Sequence, residues 1–393
     1  MNCKQKTLVL GLAAALSPMA QAEVFVDVIG DYEVSLEGLI QADGNWFDND
    51  VIDLNGPANT TGSDGDDSEF ELRRAEIILK GKGTRFDWVL GYDAKANKFL
   101  DTNVRWKLGT AYLVAGQYKQ PNSLEELSST KHNDFISKAM TTNLFAVARR
   151  TGVAYGRDEP NWGYQISAFG RELTRNLAHG GGYGARGYFA PIKADGQLLH
   201  LGLSVADYDT DADTLRLRVR PDADLAVNRL IDTGNLVNTD RQRTIGLETL
   251  WVTGPFKLQG EYMRSTIDRY PTPRASQPGG DFSADSWYLS GVWNLSGETW
   301  GYKSGVPTTP LPEDPAAGLW QVGLRYDRAD LNNGAVLGGE ESNWTVGANW
   351  YWRSNFKFSV NYVKVSSSRF ISPAIGERDD DPSIFETRLQ FYW

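Results

Sequence analysis

The sequence predicts an all-β protein, a sixteen-stranded antiparallel transmembrane β-barrel with an inward-folded constriction loop. Three observations predict it. Segments in which apolar and polar residues alternate recur along the chain, the pattern of a strand with lipid on one face and water on the other. The connections between them alternate long and short, as in a barrel whose two ends lie on one side of a membrane. After the first 22 residues nothing approaches the roughly 18 uninterrupted apolar residues of a membrane helix. With 40 Gly, 13 Trp, 17 Tyr and 16 Phe, a closed barrel in a Gram-negative bacterial outer membrane is among the few solutions left.

The export reading rests on residues 1–22. Lys4 and Lys6 precede an apolar run, Thr7–Leu16, and a small-residue exit at Ala20-Gln21-Ala22, the layout of a cleaved signal peptide. The barrel domain is then 23–393. Cys3, the one cysteine, lies ahead of the apolar run, where a lipidated cysteine would have to follow it. Cleavage removes two lysines and moves the formal net charge from -10 to about -12.

Taken in order, the period-two segments are Tyr32–Phe47, Glu69–Lys80, Arg85–Asp93, Asn103–Leu108, Ala111–Lys119, Arg150–Gly156, Trp162–Gly170 and Gly184–Ala190. They continue as Gln197–Tyr208, Arg241–Val252, Phe256–Ile267, Ser286–Leu295, Leu319–Arg328, Asn343–Trp352, Asn355–Val365 and Phe385–Trp393. These make about sixteen strands of roughly 9–14 residues, the length a tilted spanning strand needs. The last is the cleanest: Phe385, Leu389, Phe391 and Trp393 alternate with Glu386, Arg388 and Gln390. It ends on an aromatic residue, as outer-membrane barrel proteins typically do, where the barrel assembly machinery reads them.

Residues 48–68, 120–149, 171–183, 268–285 and 366–383 are long connections, and 81–84, 157–161, 191–196, 254–255 and 353–354 are short. Two places strain the alternation. Residues 296–318 fall on the inner side yet are long, and 209–240 contain Thr-Leu-Arg-Leu-Arg-Val-Arg-Pro at Thr214–Pro221. Extended, this row puts Arg216, Arg218 and Arg220 on one face and Leu215, Leu217 and Val219 on the other. As a spanning strand it would make the count odd, so 209–240 is read as one long outer loop, partly extended against the barrel mouth or interior.

Cations gather in three further places. The loop Gln120–Arg149 holds Lys131, Lys138, Ser128 and Ser129, is preceded by Lys119 and ends on Arg149-Arg150. Such forked and point cations with small hydroxyls coordinate oxyanions. In barrels of sixteen strands the loop at this ordinal position folds inward and narrows the channel. Arg73 and Arg74 are neighbours in a strand, so a flat pleat would send one of them into lipid, at about 2–4 kcal/mol near the midplane. A bulge turns both inward; alternatively one sits at the membrane boundary. Arg241 and Arg243, two apart, share a face. The acidic excess is concentrated in Asp64–Asp67, Asp207–Asp213 and Arg378–Asp381, where loops are exposed. Ion selectivity follows the charge lining the constriction and not the total.

Catalytic, metal and nucleotide chemistry find little support. His132, His179 and His200 have no obvious partners, and the sequence contains no Gly-x-Ser-x-Gly, His-x-x-x-His or Gly-rich phosphate loop. His200 reads as a lumen or boundary residue. No cofactor and no nucleic-acid partner are expected.

The chain resembles the phosphate-selective porin O/P family over nearly all of 23–393. The resemblance is carried by Phe70-Glu71-Leu72-Arg73-Arg74-Ala75, by Gly116-Gln117-Tyr118-Lys119-Gln120-Pro121 with Ser123-Leu124-Glu125-Glu126-Leu127-Ser128-Ser129, and by Arg150-Thr151-Gly152. Leu295–Tyr302 and Gly318–Tyr326 add to it and flank the long inner connection. Ile136-Ser137-Lys138 departs from the family's Met-Glu-Arg-like run. The resemblance implies a homotrimeric porin passing inorganic phosphate, pyrophosphate or polyphosphate. Arg73 and Arg74 would form the constriction with Asp101 as its acidic member, and Arg216, Arg218 and Arg220 an outer arginine ladder. Lys119, Ser128, Ser129 and Lys131 match the loop as a whole. The expectation is a passive anion channel and not an enzyme. The alternative is a general or sugar porin, with Trp162, Tyr183 and Tyr188 as a stacking path; a barrel hydrolase using a Ser–His pair is a third.

Overall fold

The computed structural model describes residues 24–57, 67–174, 180–270 and 280–393; residues 1–22, Asp64–Asp66 and His179 lie outside them. Sixteen antiparallel strands form the wall: β1 (Tyr32–Asp48), β2 (Ser68–Lys82), β3 (Phe86–Asp93), β4 (Lys98–Leu108), β5 (Ala111–Lys119), β6 (Arg149–Asp158), β7 (Trp162–Phe169) and β8 (Gly182–Ala194). They continue with β9 (Gln197–Asp209), β10 (Thr239–Thr253), β11 (Phe256–Arg269), β12 (Phe282–Asn294), β13 (Leu319–Asn333), β14 (Val336–Trp352), β15 (Phe356–Ser372) and β16 (Ser383–Tyr392). Each pairs with the next, and β16 pairs back onto β1 from Leu39↔Tyr392 to Asp48↔Ser383. Closure satisfies every strand edge, without which backbone amides could not lie in hydrocarbon. Two short strands extend the same sheet, Val24–Ile29 on the start of β1 and Gly376–Asp380 on the end of β15.

Side-chain alternation sorts the two faces. On β16 Phe385, Leu389 and Phe391 are exposed outward, while Glu386, Arg388 and Gln390 are buried inward. The strands run from 8 to 17 residues, and the largest departure from the sequence expectation is at β13–β14. There pairing continues to Asn333↔Val336, so the outer connection shrinks to a tight turn. Above the membrane both faces are wet, so the ladder persists where the hydrophobic alternation that marks it has gone.

Three long connections fold into the barrel. The loop between β5 and β6 carries two short helices, α1 (Leu124–Leu127) and α2 (Met140–Phe145). The loop between β9 and β10 enters as an extended segment: Thr214–Leu215 pair with Leu236–Val237, and Leu217 and Val219 pack with Met140, Leu144, Phe145 and the inner faces of β11–β13. The apolar side of the arginine row is therefore its buried side. From the opposite end, the connection between β12 and β13 forms a ribbon, Gly301–Lys303 with Val306–Thr308. Its Trp300, Tyr302 and Val306 pack on Leu124, Phe135 and Leu198, so the long inner turn is a plug segment.

Candidate functional site

The β5–β6 loop is fixed to one side of the barrel by backbone groups that wall side chains satisfy. Glu261 on β11 accepts the amides of Leu124 and Glu125, both at 2.8 Å, and a 2.8 Å bond from the Tyr288 hydroxyl. These are α1 amides that a helix cannot satisfy internally. Lys257 holds Asp134 at 2.8 Å, Arg325 donates to the Ser137 carbonyl at 2.9 Å, Arg388 to the Ile136 carbonyl at 2.6 Å and Gln390 to the Lys131 carbonyl at 2.9 Å. The wall side chains beneath the loop are consequently buried, with Arg325 1% and Arg388 5% exposed, whereas Arg73 at 30%, Lys80 at 32% and Asp101 at 34% are open. The free passage lies between the loop and β2–β6.

Arg73 and Arg74 both face this passage. Gln41 pairs with Arg74 and the next residue, Ala42, pairs with Leu72, which leaves Arg73 as the extra residue of a β-bulge. Leu72 and Phe70 stay outward and exposed. Arg73 Nε donates to Asp224 Oδ2 at 3.1 Å, and Arg74 Nη1 to Glu76 Oε1 at 3.1 Å.

The other cations of the passage are also matched. Arg149 forks onto Asp101 with Nε at 3.2 Å and Nη2 at 2.7 Å. Lys131 bonds Glu37 at 3.0 Å, Lys138 pairs with Glu126, and Lys119 donates to the Ser128 carbonyl at 2.9 Å. Burial works to raise the Glu126 carboxyl, but the Lys138 and Lys119 ammonium groups outweigh it and hold it down at about 2. Ser128 Oγ donates to the Leu124 carbonyl at 2.8 Å and closes α1. Ser129 is exposed, and the two serines border a cleft with Asp134, Lys257 and Thr309. Arg150 turns to the Tyr208 ring, 5.7 Å from its centroid.

On the β9–β10 loop the arginine row presents its charged face. Arg216 and Arg218 are exposed and Arg220 is half-buried. Arg216 Nε donates to Asp232 at 2.7 Å and Arg220 Nε to the Ala226 carbonyl at 2.6 Å. Burial, then the neighbouring Arg220 and Arg218, press the Arg229 guanidinium below its ordinary value. Arg229 thus belongs to the same cationic cluster, although nothing in its local sequence, Val227-Asn228-Arg229, continues the alternation.

Residues 40–393 match the sequence profile of the family described as Phosphate-selective porin O and P. The chain belongs to this family. The porin is 28% identical over 234 residues to Porin O of Pseudomonas aeruginosa, a match covering 52% of this chain and 52% of that protein. It is 26% identical over 342 residues to an uncharacterized protein of Caulobacter vibrioides, covering 81% of this chain and 67% of the other. In fold it is similar to the outer membrane protein OmpT of Vibrio cholerae, with TM-score 0.60, 8% identity and coverage of 94% and 99% of the two chains. It is also similar to the anion-selective porin of Comamonas acidovorans, with TM-score 0.55, 13% identity and coverage of 92% and 100%. The porin is thus a β-barrel of the bacterial outer membrane.

Several residues that the sequence suggested lie away from the passage. Arg241 and Arg243 share the face of Ile245 and Leu247, the outward one, and both bond Asp207, at 2.5 and 3.0 Å. Spacing fixed their common face but not which face it was. Trp162 and Tyr183 are likewise outward, and only Tyr188 is inside, where its hydroxyl donates to Asp158 at 3.1 Å. The two described histidines have partners: His200 meets the Tyr302 hydroxyl at 2.7 Å, and His132 lies against Tyr351 and Tyr392. Sequence reasoning missed Asp224, Glu261 and Arg388, which hold Arg73 and the β5–β6 loop in place. Arg388 and Glu261 carried a signal, their places on the polar faces of alternating strands, and Asp224 carried none.

Proposed function

We propose that this porin is a passive, anion-selective channel for phosphate, pyrophosphate or polyphosphate, with the arginine row as entrance and the β5–β6 loop region as constriction. One observation supports this most: the bulge at Arg73 brings two adjacent guanidinium groups into the part of the barrel that the loops leave open. Guanidinium forks suit oxyanions, and cations about 7 Å apart along Arg216, Arg218 and Arg220 pass an anion on without one deep trap. The test is the zero-current potential across a planar bilayer in a KCl gradient: an anion-selective sign is expected, and a cation-selective sign overturns the proposal.

A general diffusion porin is the second reading, favoured by the carboxylate that faces nearly every constriction cation. Micromolar phosphate then leaves chloride current unchanged. The sugar-path form of that reading loses Trp162 and Tyr183, which lie outside the lumen.

A further inference from the structure

Asp224 occupies an unusual position for an acidic group. It lies on the β9–β10 loop, between the last arginine of the row and the constriction. Its Oδ2 accepts from Arg73 Nε at 3.1 Å and from Arg388 Nη2 at 3.3 Å. Arg388 has a second carboxylate of its own, Asp43, gripped by Nε at 2.7 Å and Nη2 at 2.6 Å. Arg73 has no other acid partner among the described residues' ion pairs. Asp224 also neighbours Arg220 electrostatically, as does Arg73. The order along the path is therefore Arg216, Arg218, Arg220, then a carboxylate seated on Arg73. That carboxylate is held by ordered packing: Ala223 and Leu225 on either side of it are buried against Phe47, Leu54 and Val363, while its own side chain stays 20% exposed to the passage.

A carboxylate and a phosphate oxygen use the same donors on a guanidinium. An anion leaving Arg220 competes with Asp224 for the Arg73 guanidinium, whose Nε the carboxylate already holds. We infer that Asp224 is a built-in competitor for the permeant anion: it lowers affinity at Arg73 and so shortens residence in the constriction. Conduction requires a site weak enough to leave, and bare adjacent arginines would hold a multivalent anion too long. Asp224 acts through Arg73 and is a specificity-determining residue in that sense. The inference rests on the anion-channel reading of the same site.

The test compares wild type with Asp224→Asn, which keeps size and a hydrogen-bond acceptor, and with Asp224→Ser as a second variant. Chloride current is titrated with inorganic phosphate, and current in phosphate alone is followed to saturation. The competitor role predicts a half-blocking concentration about fivefold lower in the variants, from the lost charge next to Arg73, together with a lower saturating phosphate current. If Asp224 only positions Arg73, block weakens or stays the same, and that result overturns the inference. Zero-current potentials in KCl keep the two layers apart. Wild type that is cation-selective overturns the channel reading itself; wild type that is anion-selective with variants unshifted, or shifted toward cations, overturns the role of Asp224 alone.

Discussion

Arg73 and Arg74, consecutive in a spanning strand, both point into the lumen because Arg73 is the unpaired residue between the Ala42↔Leu72 and Gln41↔Arg74 pairs. A regular pleat would place one guanidinium against lipid. The bulge removes that conflict and places two forked cations side by side in the lumen. It also separates two structural roles, since Arg73 reaches the loop carboxylate Asp224 and Arg74 the wall carboxylate Glu76.

Deleting Arg73 should restore an unbulged β1–β2 ladder with Arg74 still inward and Leu72 still outward. The barrel is expected to assemble normally, with unchanged heat-modifiable migration in SDS gels, while phosphate block weakens about tenfold, the size of one lost charge-assisted hydrogen bond. Replacing Leu72 by Arg should instead impair assembly, because that side chain is exposed on the outer face.

Glu261→Ala removes the acceptor of the Leu124 and Glu125 amides. Each orphaned amide is destabilising by about 1–3 kcal/mol in a dry site, enough to release the α1 end of the loop. Single-channel recordings should show a larger unit conductance with more noise and weaker phosphate block.

His132 lies in the β5–β6 loop, half-buried, with its imidazole lowered to about 3 by desolvation, then by Lys357, Lys131 and Lys257. The unfolded chain takes up a proton at this residue near pH 6.5 while the folded one does not. Stability therefore falls as pH drops from about 6.5 toward 3, by about 1.4 kcal/mol per unit from this group. Glu126 acts in the same pH sense but lower down: its folded value of about 2 lies below the ordinary carboxyl value, so its contribution is present above that ordinary value and is lost as pH falls toward 2. Urea unfolding of wild type and His132→Phe at pH 7.5 and 5 should show a smaller pH difference in the variant.

Arg241 and Arg243 serve as a control pair. Their outward placement predicts that replacing both by Gln leaves phosphate block within about twofold. Neutralising Arg216, Arg218 and Arg220 should slow anion entry and flatten its dependence on ionic strength, as loss of a steering field does. On- and off-rates from block kinetics separate these outcomes.

The wall was legible because lipid imposes a period of two on every spanning strand, as at Phe385–Trp393. It was least legible at Asn333 and Val336, where pairing runs on above the membrane and no lipid imposes the pattern. Counting loop parity placed the arginine row inside a loop, and its Leu217 and Val219 face is indeed the packed one. The cluster of charged groups in the lumen was only half legible. Its cations announced themselves in runs, but the groups that hold Arg73 and the loop in place, Asp224, Glu261 and Arg388, come from segments far apart in the chain. Their partnership exists only once the barrel has closed.

In the proposed channel Arg73 and Arg74 form the anion-binding part of the constriction. The most direct test is phosphate block of chloride current in wild type and in the double variant Arg73→Ala/Arg74→Ala, recorded from single channels at one salt concentration. The account predicts block by micromolar phosphate in wild type and a loss of affinity of at least about a hundredfold in the double variant, two charge-assisted contacts' worth. Equal block in both proteins would contradict it.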